Sequence, residues 1–187
     1  MIVKKRCEWV KDDLNITYHD KEWGVPQHDD KKLFEFLILE GAQAGLSWST
    51  ILNRRDGYRM AFSNFDVDIV SKYTQNHVKE LMQNKAIIRN RLKINSAINN
   101  AKKFVEIQKE FGSFDNYLWG FVDHKQIKNK FKKHSDLPAY TEISEKLSKD
   151  LKKHGFSFVG PTICYALMQA VGMVNDHTVD CFRYYKL

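Results

Sequence analysis

The sequence predicts an all-helical single domain spanning residues 1–187, and three observations carry that prediction. Apolar residues recur at the 3.6-residue spacing of amphipathic helices, no segment alternates apolar and polar residues as a half-buried strand would, and Gly and Pro punctuate the periodic stretches. Only three prolines and nine glycines occur, and no segment is repeated or of low complexity, so nothing marks a linker between two domains. A chain of 187 residues with 43% hydrophobic content has enough material for one substantial core.

Element by element, Asp29-Asp30 place carboxylates at the start of an apolar run, Lys31 to Leu39, and predict a buried helix. A second helix is expected from Ser47 to about Phe62, and shorter ones at Val67–Tyr73 and His77–Gln83. A long amphipathic helix over Arg89–Phe111 carries its apolar stripe on Leu92, Ile94, Ala97, Ile98, Ala101, Phe104, Val105 and Ile107, with a Lys- and Asn-rich far side. Ser113 is placed to cap a helix over Phe114–Val122, a basic polar loop covers Asp123 to Pro138, and Thr141–His154 repeats the amphipathic pattern with Ile143, Leu147 and Leu151.

A net charge of +7 suits a polyanionic partner, because Lys and Arg that neutralise phosphates release condensed counterions, although solvated surface lysines account for it equally well. No run of about 18 apolar residues occurs, and the opening Met1-Ile2-Val3-Lys4-Lys5-Arg6 has charge without an apolar stretch after it. Neither a membrane span nor a secretory signal is expected, and the protein reads as cytoplasmic. Three cysteines, Cys7, Cys164 and Cys181, suit free thiols or metal ligands better than a disulfide framework.

The segment Lys152-Lys153-His154-Gly155-Phe156-Ser157-Phe158-Val159-Gly160-Pro161-Thr162 reads as a helix-hairpin-helix, in which Gly155 ends one helix in the left-handed region and Pro161 opens the next. Gly155, Val159, Gly160 and Thr162 are the candidate DNA contacts. Gly160 admits a phosphate close to the backbone, and the free N–H groups before Thr162 attract it without reading any base. An ordinary helix connection is the competing reading.

His177 and Cys181 stand four apart, so on a helix both can reach one metal ion. Cys7 and His19 near the other terminus are candidates for a closed Cys2His2 set that binds structural zinc and ties the ends of the chain together. The competing reading is four core residues. Cys164, in Ile163-Cys164-Tyr165-Ala166, reads as core. Glu40 ends an otherwise apolar helix, and Trp9, Tyr18, Trp23 and Trp48 offer flat faces. Such a set can stack a flipped base and favour a cationic one, or it can be plain core with a surface carboxylate at a helix end.

Three stretches carry a family likeness: Tyr18-His19-Asp20-Lys21-Glu22-Trp23-Gly24-Val25-Pro26, Leu39-Glu40-Gly41-Ala42-Gln43-Ala44-Gly45-Leu46-Ser47-Trp48, and Gly155-Phe156-Ser157-Phe158-Val159-Gly160 through Val174-Asn175-Asp176-His177. Together they resemble the DNA-3-methyladenine glycosylase I family over about Cys7 to Cys181. The resemblance implies a helix-hairpin-helix glycosylase fold, zinc ligation by Cys7, His19, His177 and Cys181, and base contacts by Glu40, Tyr18 and Trp48, with Trp9, Trp23 and Gln43 around them. One departure stands between Cys7 and Tyr18, where the segment is a residue shorter than the family pattern and Asn15 takes an expected aromatic position.

The expected reaction is hydrolysis of the N-glycosidic bond of 3-methyladenine in alkylated double-stranded DNA. Glu40 is the catalytic candidate, and Asp176, after the hairpin, is a second one by analogy with other helix-hairpin-helix glycosylases. No lysine stands out as a Schiff-base nucleophile, so base release without strand cleavage is expected. A single subunit suffices for an enzyme that scans DNA. The rivals are a zinc hydrolase or deaminase, whose His-x-Glu and Pro-Cys-x-x-Cys pattern is missing, and a noncatalytic DNA-binding module.

Overall fold

Short polar side chains set the starts of the helices. Asp12 accepts from Asn15 N–H to begin α1 (Asp13–Lys21), and Asp29 accepts from Lys32 N–H to begin α2 (Asp30–Gln43). Ser47, Asp66, Asn90, Ser113 and Thr141 do the same for α3 (Trp48–Leu52), α5 (Val67–Val70), α7 (Arg91–Phe111), α8 (Phe114–Trp119) and α9 (Glu142–Lys153). Between these lie α4 (Arg55–Ala61) and α6 (Gln75–Gln83), and α10 (Pro161–Ala170) begins on Pro161. This computed structural model describes residues 4–187; the reading of Met1-Ile2-Val3 lies outside the described residues.

The core forms around α2, whose residues from Leu33 to Ala42 are all buried and which packs on α7, α10, α3 and α8. Phe34 meets Phe104 of α7 edge to face at 5.3 Å, and Phe104 stacks on Phe114 of α8 at 3.9 Å. Such ring pairs add to the area they bury. The all-helical expectation holds for the architecture, with four differences of detail.

The first is α1, which sequence periodicity does not reveal because its buried positions are Asn15, Tyr18 and His19 rather than aliphatic residues. The second is that the helix expected over Ser47–Phe62 is two, α3 and α4. Asn53 Nδ2 donates to Ser49 O at 2.8 Å, which draws that carbonyl to a side chain at the break. The chain then turns so that buried Arg55 reaches Glu35 at 2.8 Å and Glu22 at 2.9 Å. Third, the helix expected over Val67–Tyr73 stops at Val70, and that over Phe114–Val122 finishes as a 3-10 turn, Gly120–Val122.

The fourth difference is a parallel pair of two-residue strands, β1 (Ile127–Lys128) and β2 (Val174–Asn175), where no strand was expected. Two residues are too short to show alternation. The pair fastens the basic loop after α8 to the segment after α10. Gly172, at φ +74°, makes the approach of that segment to Val25 possible, since a Cβ there would lie 2.3 Å from the Val25 carbonyl carbon. Among the described residues no helix is long and apolar enough to cross a membrane.

Candidate active site and metal centre

Four buried side chains from the two ends of the described chain converge: Cys7, His19, His177 and Cys181, with ligand atoms all within 4.8 Å of one another. Cys7 Sγ lies 3.6 Å from His177 Nδ1, Cys181 Sγ lies 3.4 Å from His19 Nε2 and 3.5 Å from His177 Nδ1, and the two ring nitrogens are 3.1 Å apart. Tetrahedral zinc with bonds of about 2.0–2.1 Å to nitrogen and about 2.3 Å to sulfur sets its ligands roughly 3.3–3.8 Å apart, close to these values.

The far side of each ring decides its tautomer. His177 Nε2 faces the Trp23 carbonyl at 3.1 Å, which can only accept, and His19 Nδ1 donates to the Asp20 carboxylate at 2.8 Å. Both inward nitrogens therefore present lone pairs, as metal ligands must. Burial opposes ionisation of Asp20, yet hydrogen bonds from Arg6 and His19 hold its pKa down to about 2. Between the two thiols, the hydrogen bond from Cys7 lowers Cys181, while the same bond and burial push Cys7 up. The donor set fits a metal ion.

One expectation about this centre is corrected. His177 and Cys181 are not on a helix: the chain runs extended through Asp176–Thr178 and then turns, with Cys181 N–H donating to Thr178 O at 2.8 Å. The turn brings Cys181 back to His177, so a helical spacing leads to the same pair by a different geometry. Cys164 is buried away from the cluster and donates to Val159 O at 3.4 Å, as a core residue would.

Beside the centre opens a cavity of about 410 Å³ lined by Trp9, Tyr18, Trp23, Glu40, Gln43 and Trp48, all named by the sequence. The Cys2His2 cluster and the pocket share walls: Trp9 packs edge-on to His19 at 5.4 Å, and Trp23 to His177 at 4.7 Å. Tyr18 and Trp48 lie 5.2 Å apart at 48°. Glu40 is not at the surface but 4% exposed, and burial alone pushes its pKa up to about 8. Burial, with the nearby Glu40 charge, also raises Tyr18, so its phenol remains a neutral donor.

The methyladenine glycosylase family model matches residues 9–184. The chain belongs to the methyladenine glycosylase family. It is 47% identical over 177 residues to DNA-3-methyladenine glycosylase of Haemophilus influenzae, covering 94% of this chain and 96% of that one. With DNA-3-methyladenine glycosylase 1 of Escherichia coli it shares 48% identity over 181 residues, 96% of this chain and 97% of the other. A crystal structure of 3-methyladenine DNA glycosylase I superposes with a TM-score of 0.93 at 46% identity, over 95% of this chain and 98% of that one. The Staphylococcus aureus enzyme, solved for the basis of its 3-methyladenine recognition, gives 0.90 at 36% identity, over 92% of both chains.

Asp176, the second catalytic candidate, lies away from the cavity surface. It is 1% exposed and is not among the pocket-lining residues; Oδ1 accepts from Asn129 at 2.7 Å, and Oδ2 accepts from Tyr165 at 2.5 Å and Gln169 at 2.8 Å. A carboxylate with three donors is poorly disposed to take a proton from water. Tyr165 and Gln169 do line the cavity, as do His134 and Leu137 from the basic loop and Ala139 just after it. Sequence reasoning missed these, since α10 reads as plain core and the loop as solvated lysines. Leu46, 38% exposed on the turn between Glu40 and Trp48, lines an adjoining recess that shares Glu40 and Gln43.

The connection from α9 to α10 has Gly155 at φ +84° and Pro161 in the first turn of α10, as expected. Its Ser157 is clamped by α7: Asn100 accepts from Ser157 N–H at 2.9 Å and donates to Ser157 O at 2.9 Å. Val159 O is taken by Ser148 Oγ at 2.6 Å. Thr162, beyond Gly160, sits in the first turn of α10, where N–H groups have no partner within the helix, and also lines the cavity.

Proposed function

We propose that this chain is a monofunctional DNA repair glycosylase that hydrolyses the N-glycosidic bond of 3-methyladenine in alkylated duplex DNA. The observation that carries it is Glu40: a buried carboxylate, with its pKa near 8, on the wall of an aromatic cavity, in a member of the methyladenine glycosylase family. Methylation at N3 makes the adenine cationic. A carboxylate in a site of low polarity favours that cation over neutral adenine, and the faces of Trp48 and Tyr18 add cation–π attraction. Trp9, Trp23 and Gln43 complete the walls.

The alkylated base is already a good leaving group. As the C1′–N9 bond breaks, its electron pair returns to the ring and discharges the cation, water adds to C1′, and the water's proton is released. Electrostatic complementarity in the cavity thus does most of the work, and no base with free lone pairs is required of Asp176. Asp176 acts through Tyr165 and Gln169, which it fixes against the cavity, and is a positioning residue.

Cys7, His19, His177 and Cys181 would hold zinc as a closed structural site, whose part is to lock the walls that His19 and His177 touch. The helix-hairpin-helix at Gly155–Thr162, including Val159 and Gly160, would grip a phosphate through free N–H groups. Leu46 is placed to fill the gap that the extruded nucleotide leaves, which favours a duplex substrate. Incubation with N-methylated duplex DNA and chromatography of the supernatant tests the function. Release of 3-methyladenine with intact strands is expected; duplex binding without base release would leave only a DNA-binding module.

A further inference from the structure

The carboxyl end of α2 is capped from another helix. Glu40, Gln43 and the turn to Trp48 all follow from where α2 ends, yet its last turn has no basic residue. Lys93 of α7 fills that role: its Nζ donates to Ala42 O at 2.8 Å and to Ala44 O at 2.6 Å. One ammonium thus satisfies two carbonyls that a helix end leaves without partners and faces the negative end of the dipole. Burial lowers the Lys93 pKa, in keeping with a side chain given over to protein contacts.

Along the same face of α7, three and seven residues on, come Ser96 and Asn100. Ser96 Oγ donates to Ser157 O at 3.1 Å, and Asn100 holds Ser157 at both its N–H and its carbonyl. Gly41, Ala42, Lys93, Ser96, Asn100 and Phe158 line one small cleft. A single polar stripe therefore sets the turn that carries Gln43 and Leu46 and, on the other side of the cleft, the hairpin.

We propose that Lys93 is a positioning residue for base extrusion, holding the Gln43–Ser47 turn in register with the Gly155–Gly160 hairpin so that wedge and phosphate grip act on one duplex together. This rests on the glycosylase reading. Lys93 lines no part of the aromatic cavity, but the turn it holds carries Gln43 of the cavity wall, so its effect is largest on duplex DNA: free base, and a lesion in a single strand, meet Gln43 but need no wedge.

The test compares wild type with K93M and K93R in three measurements: single-turnover release of 3-methyladenine from methylated duplex, the same from a methylated single strand, and fluorescence titration with free 3-methyladenine. For K93M, duplex excision is expected to fall roughly tenfold to a hundredfold, the scale of a modest misplacement of a working group. Single-strand excision and free-base affinity fall much less than duplex excision, and K93R, which keeps two donations, restores the duplex rate. If K93M does not fold, K93Q replaces it, being too short to bridge both carbonyls. Equal losses in all three measurements, or an unchanged duplex rate, would overturn the inference while leaving the glycosylase intact. A wild type that releases no base would instead remove the reading on which it rests.

Discussion

Tyr18 and His19 are consecutive on α1, and they face different sites: Tyr18 lines the aromatic cavity while His19 enters the Cys2His2 cluster. A quarter turn of one helix couples the Cys2His2 cluster to the aromatic cavity. Removal of the metal is therefore expected to cost both stability and base affinity. Elemental analysis should give one zinc per chain. Chelation under mildly denaturing conditions should lower Tm and weaken binding of 3-methyladenine together, because metal-binding free energy at a closed structural site is folding free energy. Loss of excision with unchanged Tm and unchanged base affinity would point to a metal that acts in the chemistry instead.

Glu40 links function to pH. Its pKa is about 8 in the folded protein and about 4.5 when unfolded, so the native state binds more protons between those values. Stability contributed by the neutral form is complete below pH 4.5 and is lost progressively as pH rises to about 8. Glu40→Gln is therefore expected to raise Tm at pH 8, by an amount that shrinks toward pH 5. The same variant should lose on the order of a hundredfold in excision, as for removal of one preorganised electrostatic group, while duplex affinity survives. For wild type, kcat/KM should rise with pH through about 8 as the anion forms. A flat profile would show that the neutral carboxyl suffices.

Asp176 separates positioning from proton transfer. Asp176→Asn keeps the volume but replaces one acceptor oxygen with a donor among Asn129, Tyr165 and Gln169. A loss of about 1–3 kcal/mol in stability is expected from the imperfectly paired buried groups, with weaker binding of free 3-methyladenine because Tyr165 and Gln169 shift. A carboxylate that activated water would behave otherwise: the excision rate would fall while Tm and free-base affinity stayed the same.

What the sequence revealed follows from which signals are local. Helices such as α7 and α9 are legible because their apolar stripes and caps lie within the segment itself. The pocket aromatics and the four clustered Cys and His residues were named through motif likeness, and the residue types alone left core and site readings open. Helix α1 escaped because its buried face carries Asn15, Tyr18 and His19, where aliphatic residues would have made the period visible. Tyr165, Gln169, His134 and Lys93 escaped for a different reason. The first three face the cavity walls and Lys93 reaches the carbonyls of Ala42 and Ala44, neighbours across the fold that no spacing encodes.

The hairpin offers two glycines whose substitution should separate folding from DNA binding. Gly155 has φ +84°, and a Cβ there would lie 3.0 Å from Lys103 Cε, so Gly155→Ala strains the backbone. It should lower stability by about 1–2 kcal/mol. Gly160 has φ −64°, and a Cβ on it would meet nothing within 4 Å, so Gly160→Ala costs the isolated protein nothing in sterics. Its Tm should be unchanged or slightly higher, since alanine narrows the unfolded ensemble. If a phosphate packs on this backbone, however, the added methyl occupies its place, and duplex affinity at fixed salt should fall about tenfold, the equivalent of one charge-assisted contact. The loss should be alike for all sequences, because the contact reads no base. Unchanged affinity for Gly160→Ala, measured by fluorescence anisotropy, would move the phosphate grip away from Gly160 and toward the lysines of the loop before α9.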